Sequence, residues 1–368
     1  MAGSPQRVPS VSAALLDWVP HSRPWFGHEE EQAVAAAVAS LQVAAGPKVT
    51  QFEGLVAQGL GRRFGVAASS GSNALTALLL GLGVGPGDEV VIPAYVCTSL
   101  HHAVTLTGAT PVEADAASDT PQLDLGAASA VLNENTRAVV LPHLFGLAVD
   151  WTPWASLNGR VGVIEDVAQA IGGRFFDGAP LGGRGRFAVA SFYATKVMAS
   201  GHGGMILGDD EGVLNRARSL IHNDRAPMDR THLSARMNDL EAALGLIQWG
   251  RLPDFVARRR AIAARFDAIK FNSRLIPLPR GAGDLPFRYV VQAEHRAAAD
   301  DLIAFLATQK VAAARPVERG HEIDAAWAAR FPNAARWWAT LVSIPCFPAL
   351  DDEEQRRVIL AVQRWCRR

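Results

Sequence analysis

The chain has 368 residues, of which 49% are hydrophobic and 20% charged, and its 36 basic and 36 acidic residues balance to a formal net charge of zero. This length suffices for two domains with a sizeable core, and the balanced charge argues against a nucleic-acid-binding surface. Cys97, Cys346 and Cys366 give no metal-ligand or disulfide spacing, and no apolar run reaches transmembrane length. We therefore expect a cytoplasmic protein with no metal, membrane or nucleic-acid partner.

Two helices are predicted before the first strand. Gly27 and the acidic residues 29–31 precede the alanine-rich segment AVAAAVASL, a pattern typical of a helix start, and Gly46-Pro47 ends it. Residues 48–61 have apolar side chains at amphipathic helical spacing. The first 18 residues lack a basic region followed by a long apolar stretch, so we expect a loose arm there and no signal peptide.

Strands and helices are then predicted to alternate from residue 64 to residue 210. Such alternation is typical of a mostly parallel sheet that is covered by helices on both faces. Ligands of these sheets bind beyond the carboxyl ends of the strands. The strand candidates are FGVAAS (64–69), DEVVIPA (88–94), TPVEADA (110–116), RAVVLPHLFG (137–146), RVGVIEDVAQA (160–170), the run 187–192 and GMILGDD (204–210).

The pattern changes after residue 210, where longer helices replace the alternation. Two helical segments meet near Pro253, and a smaller α+β unit follows them. In that unit we predict a strand in FRYVVQAE (287–294) and helices in ADDLIAFLATQ (299–309) and DDEEQRRVILAVQRW (351–365). We therefore expect an N-terminal arm and large domain over residues 1–252 and a small C-terminal domain over residues 253–368.

A lysine follows the apolar run 187–192, which has the composition of a buried strand. Lys196 then precedes a loop that contains Gly201, Gly203 and Gly204. Burial disfavours the charged ammonium form, and a neutral amine can attack a carbonyl group to form a Schiff base. The ordinary alternative is that Lys196 extends from its loop into solvent, so the rest of the chain must decide between the two.

Further polar groups follow other predicted strands. The segment 70–73, Ser-Gly-Ser-Asn, stands between a strand and a helix, where it can bind a phosphate or form an ordinary N-cap. Asp166 ends another strand, where its carboxylate can pair with a protonated ring nitrogen or cap a turn. With Lys196, and with a second hydroxyl from Ser191, these groups match the three parts of pyridoxal 5'-phosphate (PLP): phosphate, ring nitrogen and aldehyde.

Nine segments between residues 23 and 250 carry a more specific pattern. They are Arg23-Pro24, GPKVTQFE (46–53), SSGSNAL (69–75), GDEVVIPA (87–94), PHLFG (142–146), IEDVAQAIGG (164–173), SFYATK (191–196), GHGGM (201–205) and ARMNDLEAALGLIQ (235–248). In order and spacing they resemble the DegT/DnrJ/StrS family of PLP-dependent sugar aminotransferases. The region after residue 255 is only loosely similar.

The resemblance implies an α/β enzyme of PLP fold-type I, like aspartate aminotransferase, that acts as a homodimer with shared active sites. It implies that Lys196 forms the Schiff base with PLP, that Asp166 pairs with the pyridinium nitrogen and that Gln169 lies against the ring. Gly71, Ser72 and Ser191 would hold the phosphate. The expected cofactor-binding residues are Gly71, Ser72, Asn73, Tyr95, Cys97, Asp166, Gln169, Ser191, Lys196 and Ser234, and the expected catalytic residues are Lys196 and Asp166.

The chain departs from the family pattern at three positions. Where relatives place an aromatic side chain against the cofactor ring, this chain has Cys97, with Tyr95 nearby to compensate. An asparagine that contacts the phosphate of the neighbouring subunit is replaced by Ser234, and a glutamate in the glycine loop by His202. None of these changes removes a group that Schiff-base chemistry requires, but together they weaken the expectation of a standard sugar substrate.

We expect an aminotransferase that takes an amino group from glutamate and gives it to a keto acceptor. Dehydratases among the relatives have histidine at the lysine position, so Lys196 favours transamination. Two alternatives stay open: a PLP enzyme of the same scaffold that performs cyclisation or elimination on a natural-product intermediate, and a regulatory protein that only binds the cofactor. Release of 2-oxoglutarate from glutamate separates the first interpretation from both.

The expected acceptor is a nucleotide-linked keto-sugar, and a cyclitol or another biosynthetic ketone is the alternative. Its pyrophosphate would need cationic partners, and arginine donates two hydrogen bonds to phosphate oxygens. The candidates are Arg218, Arg225, Arg230 and Arg315. His101, His102 and His143 lie near the proposed cofactor, and we expect them to be structural.

Overall fold

The computed structural model describes residues 17–222, 232–318 and 323–368. Its helices are α1 (His28–Ala39), α2 (Pro47–Gly59), α3 (Gly71–Gly81), α4 (Thr98–Thr105), α5 (Leu125–Ala130), α6 (Trp154–Asn158), α7 (Glu211–Ile221), α8 (Asp239–Gly250), α9 (Leu252–Asp267), α10 (Arg296–Thr308), α11 (Ala325–Arg330), α12 (Pro332–Thr340) and α13 (Asp352–Cys366). Its strands are β1 (Phe64–Ala68), β2 (Glu89–Pro93), β3 (Thr110–Ala114), β4 (Thr136–Pro142), β5 (Val163–Asp166), β6 (Phe187–Ser191), β7 (Gly204–Gly208), β8 (Leu275–Pro277), β9 (Tyr289–Ala293) and β10 (Leu341–Ile344).

Seven strands form one sheet in the order β1-β7-β6-β5-β4-β2-β3. The neighbours from β6 to β3 pair in parallel, whereas β7 runs antiparallel to both β1 and β6. This arrangement confirms the predicted large, mostly parallel sheet. Because parallel strands bring their carboxyl ends to one edge, the residues that follow β1, β2, β4, β5 and β6 converge there.

Apolar side chains cover both faces of this sheet. On one face Leu75 and Leu78 of α3 belong to the same buried cluster as Ile92 of β2. On the other face Phe52 of α2 packs edge-to-face against Phe192, with ring centroids 4.9 Å apart. The core therefore fixes α3 so that its first turn lies at the edge where the carboxyl ends of the strands meet.

A second sheet lies in the C-terminal part and has three antiparallel strands in the order β10-β9-β8. The sequence predicts only the central strand β9. The flanking strands have four and three residues, which is too short to show a strand period. The helices α11 and α12, of six and nine residues, are likewise absent from the sequence-based prediction.

Helices α8 and α9 meet at Arg251, and Pro253 stands in the first turn of α9. This position confirms the predicted interruption of the helical segment, because proline is accepted in a first turn but not in a helix interior. The division into domains 1–252 and 253–368 stays a prediction. None of the helices in the described ranges is long and apolar enough to cross a membrane.

The N-terminal segment joins the C-terminal part of the chain. Val19 is fully buried, its N–H donates to the Lys310 carbonyl at 2.9 Å, and its carbonyl accepts the Ala312 N–H at 2.9 Å. Most of the predicted loose arm, residues 1–16, lies outside the described residues. The bridge at Val19 fixes the position of His21, two residues further along the chain.

Candidate active site

A cavity of about 750 Å³ lies at the carboxyl edge of the large sheet. Its wall combines residues that follow the parallel strands with residues 288 and 314–318 of the C-terminal part. A volume of this size is typical of small-molecule sites. Seven of the expected cofactor-binding residues line it, namely Gly71, Ser72, Cys97, Asp166, Gln169, Ser191 and Lys196.

Lys196 lies in the turn that follows β6, where its backbone N–H donates to the Tyr193 carbonyl at 2.8 Å. Burial lowers the pKa of its ammonium group, whereas the nearby Cys97 and Asp166 act to raise that pKa. The chain has four lysines, all within the described residues, and only Lys196 lines the cavity. Lys196 is therefore the only side chain that can provide a primary amine inside this cavity.

Asp166 is the last residue of β5 and pairs in register with Val189 of the neighbouring strand β6. Its Oδ1 accepts a hydrogen bond from the Ala168 N–H at 2.8 Å. Burial raises the pKa of this carboxyl group, and the Ala168 N–H, Lys196 and His143 oppose that rise. A cation placed beside Asp166 would favour its ionised form, so the position suits a protonated ring nitrogen.

A buried pair lies behind Asp166. The Nδ1 of His143 accepts the Val149 N–H at 3.2 Å, so its Nε2 bears the proton and donates to Glu165 at 3.0 Å. Burial acts to raise the pKa of Glu165, but hydrogen bonds from His143 and from backbone N–H groups hold it below its usual value. His143 lines the cavity, yet both of its ring nitrogens have partners within the protein.

An anion-binding arrangement lies at the first turn of α3. Ser70 is the N-cap, and its Oγ accepts the Asn73 N–H at 3.1 Å. The N–H groups of Gly71 and Ser72 have no acceptor inside the helix, as is general for a first turn. Gly71 also lies against Ser191, because a Cβ built on Gly71 would be 2.9 Å from the Cβ of Ser191. These N–H groups and the hydroxyls of Ser72 and Ser191 can bind a phosphate.

Gln169 and Cys97 form two further parts of the wall. The Oε1 of Gln169 accepts the Phe145 N–H at 2.7 Å, which leaves its amide NH₂ group as a donor. Cys97 is the N-cap residue of α4 and has a free thiol. The wall therefore has a thiol at the position where relatives are expected to have an aromatic ring.

The other three expected cofactor-binding residues are not among those that line the cavity. The side chain of Asn73 donates to the Ser69 hydroxyl at 2.9 Å. Tyr95 is buried against Phe145, with ring centroids 6.4 Å apart, and its hydroxyl has no hydrogen-bond partner among the described residues. Ser234 is exposed to solvent. Their contacts with the cofactor stay predictions.

His101, one of the histidines expected to be structural, and His202, one of the departures from the family pattern, differ in their surroundings. His101 pairs with Glu113 at 3.0 Å and does not line the cavity. His202 does line it, and its ring lies edge-to-face with that of Tyr193, with centroids 5.2 Å apart. Tyr193 is 44% exposed, so this aromatic pair lies at the solvent side of the cavity.

The arginines proposed for a pyrophosphate are distributed differently from what the sequence suggests. Arg218 donates to Glu53 at 3.0 Å and does not line the cavity. Arg315 lines it, but its guanidinium pairs with Asp300 at 2.6 Å. Arg225 and Arg230 lie outside the described residues.

Arg288 and His21 also line the cavity, although no motif in the sequence points to either residue. The Nη1 of Arg288 lies 3.0 Å from both ring nitrogens of His21, and the His21 Nε2 lies 2.9 Å from the Ser343 hydroxyl. Burial lowers the pKa of Arg288, and burial together with the charge of Arg288 lowers the pKa of His21 to about 4. The position of Arg288 directly before the apolar strand β9 could have marked it as a candidate site residue. No local pattern could have marked His21, because its partners lie 267 and 322 positions away in the sequence.

The residues of this cavity fit PLP. Because Gly71 has no Cβ, the space between the first turn of α3 and Ser191 is open to a bound group. Asp166 provides an acceptor for a protonated nitrogen, and Lys196 provides an amine whose charge burial disfavours. These donors and acceptors correspond to the phosphate, ring nitrogen and aldehyde of the cofactor.

Comparison with known proteins agrees with this geometry. Residues 25–363 match the DegT/DnrJ/EryC1/StrS aminotransferase family. The aminotransferase TlmJ from Streptoalloteichus hindustanus is 29% identical, with a TM-score of 0.84 over 94% of this chain and 98% of its own. DesV from S. venezuelae is 28% identical, with a TM-score of 0.84 over 92% and 95%. Spr1654 from Streptococcus pneumoniae, solved in a PLP form, is 24% identical, with a TM-score of 0.87 over 95% and 99%.

These similarities extend over nearly the whole chain and confirm the predicted α/β fold of the PLP-dependent fold-type I enzymes. The protein is a PLP-dependent aminotransferase, and PLP is its cofactor. The chain belongs to the DegT/DnrJ/EryC1/StrS aminotransferase family.

Proposed function

We propose that this enzyme transfers an amino group from glutamate to the keto group of a nucleotide-linked sugar or a related biosynthetic intermediate. The observation that carries the proposal is the position of Lys196, Asp166 and the first turn of α3 around one cavity. Bound PLP supplies an electron sink that stabilises negative charge on the substrate carbon next to the amino group. The protein must then hold the cofactor, orient the substrate and move one proton.

We assign the proton transfer to the Nζ of Lys196. Burial lowers the pKa of this amine, so its neutral form is more populated at neutral pH than that of an exposed lysine. A neutral amine can bind the cofactor between reactions, and when it is released it can act as a general base. Lys196 would then move a proton from the donor carbon to the cofactor in the first half-reaction and from the cofactor to the acceptor carbon in the second.

The other proposed roles concern cofactor binding. Asp166 would pair with the ring nitrogen and keep it protonated, because an adjacent carboxylate favours the charged form of the ring. The amide NH₂ of Gln169 would donate to an oxygen of the ring. The first turn of α3 and the hydroxyl of Ser191 would bind the phosphate, with support from the 2.9 Å approach between Ser191 and a Cβ at position 71.

We also propose a homodimer in which each site uses residues of both subunits. Several large apolar side chains are exposed between residues 25 and 43, including Leu41 at 87% and Val38 at 52%. Monomeric proteins rarely expose apolar side chains in such a group, and a symmetric dimer would bury them. Ser234 is exposed outside the cavity of its own chain, which suits a contact with the site of a partner subunit. The cytoplasmic location stays a prediction.

The acceptor is proposed from the resemblance of the large-sheet segments to those of sugar aminotransferases. The edge-to-face pair of Tyr193 and His202 supports an acceptor with a ring, because exposed aromatic side chains offer flat apolar faces near the cavity. The side chain of Cys97 is smaller than the aromatic side chain expected at this position. The space that it leaves in the cavity is compatible with an acceptor of another shape, such as a cyclitol.

A two-stage assay tests this function. In the first stage the holoenzyme receives glutamate alone, and we expect the cofactor to convert to its amine form with release of 2-oxoglutarate. In the second stage a panel of nucleotide-linked keto-sugars and keto-cyclitols is added, and we expect one class to be aminated while the original spectrum returns. Conversion by glutamate without amination of any sugar would remove the sugar acceptor. No conversion by any amino acid would favour cyclisation, elimination or a regulatory role.

A further inference from the structure

Two arginines line the cavity within the described residues, and they differ in how their charge is compensated. Arg315 donates to Asp300 at 2.6 Å and to the carbonyls of Ala339 and Leu341 at 2.6 and 3.2 Å. Its guanidinium is therefore paired with a carboxylate and held by the backbone. Arg288 is half-buried and forms no ion pair with any described carboxylate.

The guanidinium of Arg288 also has unused hydrogen-bonding capacity. Its Nη1 contacts His21, and its Nε is buried without a hydrogen-bond partner among the described residues. The charge of Glu318 acts to raise the pKa of Arg288 against the effect of burial, but Glu318 forms no ion pair with the guanidinium. An arginine stays charged in proteins, so a partly buried guanidinium without a direct ionic partner is costly. A guanidinium kept in this state at the wall of a substrate cavity is suited to an anionic group of a ligand.

His21 fixes Arg288 without neutralising it. The pKa of His21 is lowered to about 4 by burial and by the charge of Arg288, so its ring is neutral at physiological pH. A neutral ring can accept a hydrogen bond from Nη1 but supplies no negative charge. The Nε2 of His21 is held in turn by the Ser343 hydroxyl at 2.9 Å, and the bridge at Val19 holds the segment that carries His21.

Arg288 lies in the same part of the cavity as the proposed catalytic amine. The Nζ of Lys196 and the Cζ of Arg288 lie 6.0 and 5.2 Å from the centroid of the same Phe287 ring. The charge of Arg288 also acts to lower the pKa of Lys196, so the two groups are close enough to interact. An amino acid whose amino group replaces the Nζ of Lys196 on the cofactor would therefore have Arg288 within reach. In every α-amino acid the carboxylate is attached to the carbon that bears the amino group, so this carboxylate must lie near Lys196 as well.

We propose that Arg288 binds the α-carboxylate of the amino donor and that His21 positions its guanidinium for this contact. The proposal rests on the proposed aminotransferase function and adds the residue that selects the donor. A carboxylate matches the planar fork of a single guanidinium. A pyrophosphate fits less well, because it needs more than one cation and the second cavity arginine is already paired with Asp300.

The test compares Arg288→Gln and Arg288→Lys with the wild-type holoenzyme. The first probe is 2-methylglutamate, which has the α-carboxylate but no proton on that carbon, so it binds to the cofactor without being converted. Its dissociation constant is read from the absorbance of the cofactor at equilibrium. We expect Arg288→Gln to raise this constant roughly 10- to 100-fold, since a hydrogen bond to a charged group is lost, and Arg288→Lys to raise it less.

Two further probes identify the group that Arg288 recognises. The first, 4-aminobutyrate, is glutamate without its α-carboxylate, and we expect its affinity to be the same for the wild type and Arg288→Gln. The second, uridine diphosphate, tests a pyrophosphate ligand by calorimetry, and we expect no change. Arg296→Gln is the matched control, because it removes an exposed arginine of the C-terminal part that does not line the cavity.

An unchanged dissociation constant for 2-methylglutamate in Arg288→Gln would overturn the proposal. An equal loss for 4-aminobutyrate, or a comparable loss for uridine diphosphate, would overturn it too. Conversion of the wild-type cofactor by glutamate tests the aminotransferase function separately, so failure of one conclusion is distinguishable from failure of the other. His21→Ala should raise the constant about fivefold with little effect on the limiting rate of conversion, because it removes one neutral contact to Nη1.

Discussion

Asp166 ends strand β5, Lys196 follows the adjacent parallel strand β6, and each acts on the charge of the other. Burial raises the pKa of Asp166 and lowers the pKa of Lys196, so it favours the neutral form of both groups. Their mutual attraction opposes both shifts. A protonated ring nitrogen beside Asp166 would take over the role of cation and leave Lys196 free to act as a neutral base.

Replacement of Asp166 by asparagine tests this assignment. We expect Asp166→Asn to retain PLP and to slow conversion by glutamate roughly 100-fold or more, because the ring nitrogen loses its charged partner. The rate is measured in a single turnover from the absorbance of the cofactor. Asp150→Asn is a matched control, since exposed Asp150 accepts the N–H of the residue two positions later, as Asp166 does, but lies outside the cavity. A near-normal rate in Asp166→Asn would place the ring nitrogen elsewhere.

The approach of Gly71 to Ser191 predicts a defect in phosphate binding. In Gly71→Ala the new Cβ would be 2.9 Å from the Cβ of Ser191, closer than real Cβ contacts, so the first turn of α3 must shift. We expect PLP to bind at least about tenfold more weakly, because hydrogen bonds to a charged group are lost. Equilibrium dialysis of the apoenzyme with PLP measures this loss.

Gly54→Ala provides the control for that substitution. Gly54 lies inside helix α2, and no other group lies within 4 Å of the position of a new Cβ. Alanine there should leave PLP affinity unchanged and stabilise the fold by about 0.5–1 kcal/mol. If both variants lost PLP equally, the defect would reflect general instability and not the contact with Ser191.

His21 predicts a dependence of stability on pH. Its pKa is about 4 in the folded protein and 6.5 in its ordinary state, so the unfolded chain takes up a proton first as the pH falls. Stability should therefore decrease between pH 6.5 and pH 4, by about 3 kcal/mol once both states are protonated. His21→Gln should remove this component, whereas His28→Gln, at an exposed position, should retain it. Denaturant unfolding at several pH values decides; equal curves for the wild type and His21→Gln would contradict the assignment.

The homodimer predicts complementation between two inactive chains. Lys196→Ala lacks the proposed base, and Ser234→Trp should block the partner's site if the exposed Ser234 reaches it. A mixed dimer would then contain one intact site, so activity should reappear on mixing. Sedimentation of the wild type measures the assembly directly. A fully active monomer would contradict the shared site.

The sequence predicts the site where its geometry is local. Lys196, Asp166 and Gly71 each stand at the end of a strand, and a parallel sheet brings such ends together whatever the connecting loops do. Arg288 and His21 meet through contacts between distant segments, 267 positions apart, and no periodic pattern signals such a pair. Only the three-dimensional arrangement of the small sheet against the N-terminal segment brings the two residues together.

The direction of side chains in irregular segments is the second feature that the sequence does not predict. Tyr95 is close in sequence to Cys97, yet it packs against Phe145 while Cys97 lines the cavity. In a helix or strand the spacing of two residues determines whether their side chains share a face, but in an irregular segment such as this one it does not. Short elements fail similarly: β8 and β10 are formed by pairing with β9 and not by a local pattern.

The most direct test of the account is the identity of the lysine that binds PLP. Reduction of the holoenzyme with borohydride fixes the cofactor on its lysine, and peptide mapping then locates the label. We expect the label on Lys196, which lines the cavity, and none after denaturation and removal of PLP before reduction. A label on Lys48, Lys270 or Lys310, the other three lysines of the chain, would contradict the proposed site.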